Sequence, residues 1–143
     1  MENHFFTASV EETERIGEEL AQKLVGDEII AFKGGLGAGK TSFVRGLAKG
    51  LLFCGEVSSP TFALVHQYDG GRVPLYHFDM YRVNTWDDLY STGFFDYLGT
   101  GILAIEWSEN IENAIENEKV ITVTIEKGSK EDERTIHIVY SEG

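Results

Sequence analysis

Residues Gly34-Gly35-Leu36-Gly37-Ala38-Gly39-Lys40-Thr41 spell G-x-x-x-x-G-K-T, and no other stretch of this 143-residue chain restricts its fold so narrowly. The pattern asks for a loop between a buried strand and a helix. Its glycines let the backbone curl until successive N–H groups converge into an anion nest. The helix that follows adds its positive N-terminal end. Lys40 then reaches the outer phosphates of a bound nucleotide, and the Thr41 hydroxyl offers Mg²⁺ the hard oxygen it prefers. The flanks satisfy the requirement. Ile29-Ile30-Ala31-Phe32 reads as a buried strand, while Phe43, Leu47 and Leu51 recur every four residues as one face of a helix from Lys40 to Leu52. The expected ligand is a nucleoside triphosphate, Mg·ATP above all, held by Gly35, Leu36, Gly37, Ala38, Gly39, Lys40, Thr41 and Ser42.

The remaining chain supplies strands and helices in alternation. Ser9-Val10-Glu11-Glu12 has the form of a capping box, and Ile16, Leu20 and Leu24 continue it as a helix ending near Gly26. Thr61 to Tyr68 and Val73 to Met80 are strand-like runs around Asp69-Gly70-Gly71, a hairpin signal. Asp87 to Tyr90 suits a short helix, Ile102-Leu103-Ala104-Ile105 a buried strand, and a second short helix follows Ser108. Val120 to Glu126 and Arg134 to Tyr140 alternate in the manner of strands, joined by the polar loop Lys127 to Glu133 as a second hairpin. Neither repeats nor low-complexity tracts interrupt the pattern. These elements predict one α/β domain over residues 1–143. Its architecture is a P-loop NTPase-like mixed β-sheet flanked by helices, with two antiparallel hairpins.

A formal net charge of -12 argues against direct grip on RNA or DNA, which demands a basic footprint. Any role in nucleic-acid metabolism is therefore expected to run through a partner protein. The single cysteine, Cys54, excludes an intrachain disulfide and suits a reducing compartment. No apolar run reaches the length of a membrane span, and Met1-Glu2-Asn3-His4 lacks the basic start of a secretion signal, so a soluble cytoplasmic protein is expected.

A phosphate loop needs a carboxylate nearby for Mg²⁺ or its waters, at the end of an adjacent apolar strand. Asp79 closes Leu75-Tyr76-His77-Phe78, and Glu106 closes Ile102-Leu103-Ala104-Ile105. Lys40, Asp79 and Glu106 are the catalytic candidates, and Thr41, Asp79 and Glu106 the metal candidates. An acid in such a place can also be a helix cap or a solvated loop residue. Trp107 is either core packing or a wall of the γ-phosphate pocket. His66 and His77 read as structural. Other nucleotide classes leave no trace: there is no N/T-K-x-D guanine reader, and the five arginines are too few for a nucleotide-kinase lid. Arg82 is the nearest candidate for an arginine finger. Two rival functions fit part of this picture, a small-molecule kinase and a nucleotide-gated adaptor with negligible catalysis.

Four blocks, in order and spacing, carry a resemblance that covers roughly residues 9 to 140. They are GGLGAGKTSFVR from Gly34, SPTFALV from Ser59, YHFDMYR from Tyr76, and EWSE from Glu106. Together they resemble the bacterial TsaE family. The resemblance implies a small ATPase required for forming threonylcarbamoyladenosine next to the anticodon of tRNA, working with the TsaD and TsaB proteins. It implies ATP and Mg²⁺ as cofactors and contact with tRNA only through those partners. Residue by residue, it assigns phosphate binding to Lys40 and the loop N–H groups, and Mg²⁺ binding to Thr41. Thr61 falls in a switch-like segment near the metal. Asp79 and Glu106 become the acidic pair around Mg²⁺ and the attacking water, with Trp107 beside them, and Ser9-Val10 contact adenine. Two positions depart from the family pattern: Gly35 stands where many relatives have an acid, and Ser108 where many have proline.

Overall fold

Three segments have no polar face. β2 (Ile29–Lys33), β4 (Leu75–Asp79) and β5 (Ile102–Glu106) each bury four consecutive residues. Such strands belong inside a sheet covered on both sides. The computed structural model describes residues 2–33, 39–53 and 65–141 and places them so. With β1 (Glu2–Thr7), β3 (Val65–Tyr68), β6 (Val120–Lys127) and β7 (Arg134–Tyr140), they form a seven-stranded sheet in the order β1-β7-β6-β2-β5-β4-β3. Its centre, β6-β2-β5-β4, is parallel. Antiparallel β3 lies on one side, and β7 pairs antiparallel with both β6 and β1 on the other.

The alternation of side chains sends Ile30 and Phe32 to one face and Ile29 and Ala31 to the other. The first face packs on α1 (Val10–Ala21) and α2 (Lys40–Gly50), burying Leu20, Phe43, Val44 and Leu47. The second is covered by α3 (Trp86–Ser91), α4 (Phe94–Tyr97) and a 3₁₀ turn (Ser108–Ile111) leading into α5 (Glu112–Ile115). Helices α1 and α2 approach until backbone meets backbone. A Cβ on Gly46 would collide with the Glu14 carbonyl oxygen, so only glycine allows the crossing.

Three local features differ from the sequence expectation. Helix α1 stops at Ala21 rather than near Gly26. The N–H groups of Lys23 and Leu24 fall back to Leu20 and Ala21 at 3.0 and 3.1 Å, a tightened last turn. The Arg72 guanidinium then takes the carbonyls of Ala21 and Leu24 at 3.1 and 2.9 Å. The second difference is β1, which the sequence reading passed over. Its Asn3 and His4 are poor strand formers, and it exists because β7 offers an open edge for six paired residues. The third is α4, four residues pinned by Phe94 against Phe78. Residues 61–64 of the expected Thr61-to-Tyr68 strand lie outside the described residues.

Candidate functional site

Because β2, β4, β5 and β6 run parallel, their carboxyl ends share one edge of the sheet, the edge where open α/β sheets hold ligands. β1 points the same way, so Thr7, Ser9 and Val10 emerge there too.

Asp79 and Glu106 are direct neighbours in register on β4 and β5. They share parity with Leu75 and Ala104, and so stand on the face covered by α2. Asp79 accepts the Tyr81 N–H through Oδ1 at 2.9 Å, which stiffens the turn beyond β4. Glu106 accepts from His77 Nε2 through Oε2 at 2.6 Å. Lys40 opens α2 and is 6% exposed, unusually enclosed for a lysine. Its ammonium lies 5.6 Å from the centre of the Trp107 ring, which offers a cation its negative face. Gly39 before it has φ 95°, a conformation suited to glycine. Thr41 and Ser42 follow in the first turn of α2.

Trp107 also has left-handed backbone, at φ 59° and ψ 39°. For a bulky residue this costs about 1–2 kcal/mol, and such strain persists where neighbours overdetermine it. Here the neighbours are identifiable. Tyr81 packs on the indole at 4.9 Å between ring centres. Ser108 donates its hydroxyl proton to the Phe32 carbonyl at 3.1 Å, tying the turn after β5 to the end of β2. Asn110 ties it to the turn after β4 through the Met80 carbonyl at 2.8 Å. Proline at 108 could not make the Ser108 bond.

The structure therefore gathers Lys40, Thr41, Asp79, Glu106 and Trp107 at one edge. Gly35, Leu36, Gly37, Ala38 and Thr61 lie outside the described residues. Ser9 acts as a helix cap, accepting the Glu12 N–H at 3.2 Å, while Glu12 reaches back to the Ala8 N–H at 2.9 Å. Val10 beside it is exposed. Arg82 is exposed in the turn after β4.

Arg134 escaped the sequence reading. It begins β7 between Lys127 and Thr7, and its side chain crosses to α2, where a Cβ on Gly39 would lie 3.2 Å from its Nε. A second cation thus flanks the end of the phosphate-loop motif. Nothing local in Glu133-Arg134-Thr135 announces this; strand order alone brings it there.

A family model described as "Threonylcarbamoyl adenosine biosynthesis protein TsaE" matches residues 7–136. This chain belongs to the TsaE family. Its curated relatives include tRNA threonylcarbamoyladenosine biosynthesis protein TsaE of Synechocystis, 44% identical over 75% of this chain and 71% of that protein. The Aquifex aeolicus protein of the same name is 46% identical over 71% and 73%. The Bacillus subtilis one is 36% identical over 93% and 84%. Among solved structures, Bacillus subtilis YdiB superposes with a TM-score of 0.76 at 29% identity, covering 100% of this chain and 87% of YdiB. TsaE membership thus extends across both the sheet centre and the strand ends that bear Asp79 and Glu106.

Oxygen donors on adjacent strand ends beside a buried lysine suit Mg²⁺, which takes one or two carboxylates together with phosphate oxygens. The described residues hold no helix long and apolar enough to cross a membrane.

Proposed function

We propose that this TsaE-family protein is a Mg²⁺-dependent ATPase of one P-loop domain. In this reading it serves formation of the threonylcarbamoyl group on the adenosine next to the anticodon in tRNA, acting in the cytoplasm with the TsaD and TsaB proteins. The observation that carries the reading is the pairing of Asp79 with Glu106 in register, beside a lysine enclosed at the start of α2. Water attack on a terminal phosphoryl group needs that combination. A cation supports charge on the outer phosphates, and fixed acids hold the metal's ligand shell and orient the water.

Lys40 and the loop N–H groups bind the phosphates. Thr41, Asp79 and Glu106 would hold Mg²⁺, and Thr61 is assigned to the nucleotide site by the family resemblance alone. When bound, that ion would neutralise charge on the terminal phosphates. Trp107 walls the pocket and, through its ring face, keeps the Lys40 ammonium in place. The nucleoside end extends towards Ser9 and Val10, with Arg134 beside Gly39 on the way. ATP is preferred to GTP because no guanine reader is present in the chain. Contact with tRNA is indirect.

A reconstituted modification assay with TsaD, TsaB, tRNA and ATP tests this reading. Multiple rounds of adenosine modification should require this protein and fail with its Lys40→Ala form. Equal multiple turnover without it, or with that variant, would refute the proposal.

A further inference from the structure

His77 occupies the middle of β4 with no exposed surface, a position that an apolar side chain would fill at lower cost. Its Nδ1 is buried and meets no hydrogen-bond partner among the described residues. An unsatisfied buried polar atom costs on the order of 1–3 kcal/mol. What the imidazole gains is the 2.6 Å bond from Nε2 to Glu106 Oε2, shorter than ordinary N–H···O bonds. The sheet makes room for it. The residue opposite His77 on β5 is Ala104, whose small side chain lets the ring lean along the strand to Glu106 two positions further on. A carboxylate oxygen only accepts, so Nε2 is the donor in this bond and Nδ1 is left with its lone pair.

We propose that His77 is a positioning residue for Glu106: its buried Nε2–H holds one carboxylate oxygen and fixes the plane of the group, leaving Oε1 for the metal shell or the attacking water. The inference rests on the proposed ATPase role of Glu106. Outer partners of this kind orient the groups that touch the reactants, and losing them costs about 10–100-fold in affinity or activity.

The test compares His77→Leu, His77→Gln, His77→Asn and Glu106→Ala by steady-state Mg·ATP hydrolysis, thermal melting and Mg·ADP titration. His77→Leu should melt no lower than the native protein and bind Mg·ADP within about twofold, while kcat falls about 10–100-fold. Gln places an amide N–H where Nε2 stood and should restore most of kcat; Asn is too short and should not. Combining His77→Leu with Glu106→Ala should be no slower than Glu106→Ala alone. A native kcat in His77→Leu, equal rates in the Gln and Asn forms, or additive losses would overturn the proposal. If the Leu form does not fold, the Gln–Asn comparison decides the matter. Native hydrolysis by Glu106→Ala would instead remove the role of Glu106 on which the inference rests, and no hydrolysis by the native protein would remove the ATPase reading itself.

Discussion

Single residues at this site are constrained by one another more than by solvent. Trp107 accepts a left-handed backbone because Tyr81, the Lys40 ammonium and the Ser108 hydroxyl bond leave its ring one place to go. The chain has two tryptophans, so Trp86→Phe leaves Trp107 as the sole indole reporter. Mg·ADP added to that variant should change the indole emission, because a nucleotide alters the charge around Lys40. Unchanged emission at saturating nucleotide would contradict the placement of the ring. At this scale the sequence was informative where the motif or a strand end marks the spot. Lys40 follows from G-x-x-x-x-G-K-T, and Asp79 and Glu106 from the acids that close apolar runs. Arg134 and the His77–Glu106 bond were invisible, because each depends on which strands lie side by side.

Among the elements, the buried parallel strands and α2 were legible from apolar runs and a four-residue period. Element ends were not, since they are set by distant groups. The end of α1 shows this best. Arg72, from the β3–β4 connection, takes the carbonyls of Ala21, its last residue, and of Leu24 beyond it, and Glu28 accepts the N–H groups of Val25, Gly26 and Asp27. Burial alone would raise the Glu28 pKa. Hydrogen bonds from the backbone of Gly26, Val25, Glu28 itself and Asp27 outweigh that and hold it below its ordinary value of 4.5. A depressed carboxyl contributes stability that is present above the unfolded pKa and lost as pH falls through the folded one. Glu28→Gln should therefore be less stable than the native protein at neutral pH, with the gap closing as the pH drops below about 4.5. Urea denaturation midpoints between pH 7 and pH 3 measure it. A gap that stays constant across that range would mean that the ionised carboxylate is not what holds the turn.

Across the whole molecule, charge and topology point in one direction. The net charge of -12 opposes a phosphate backbone, and two cations close in sequence to the G-x-x-x-x-G-K-T motif are already engaged. Lys33 pairs with Glu112 at 3.2 Å and Arg45 with Glu14 at 3.0 Å. The first pair is exposed and adds little stability, but both reduce the positive surface available to nucleic acid. Among the described residues, Lys40, Asp79, Glu106 and Trp107 gather at one edge, in a chemistry that suits a small anion and its metal. In the proposed function, nucleotide binding would act on partners only through the difference in nucleotide affinity between two states of the assembly. The proposed activity is Mg²⁺-dependent hydrolysis of ATP at this edge. The most direct measurement is phosphate release from ATP by the native, Lys40→Ala and Glu106→Ala proteins, with TsaD and TsaB present, with Mg²⁺ and with excess EDTA. The native chain alone should release phosphate slowly, the partners should change that rate several-fold, and both variants and EDTA should abolish it. Native rates in either folded variant, or release that persists without Mg²⁺, would contradict it.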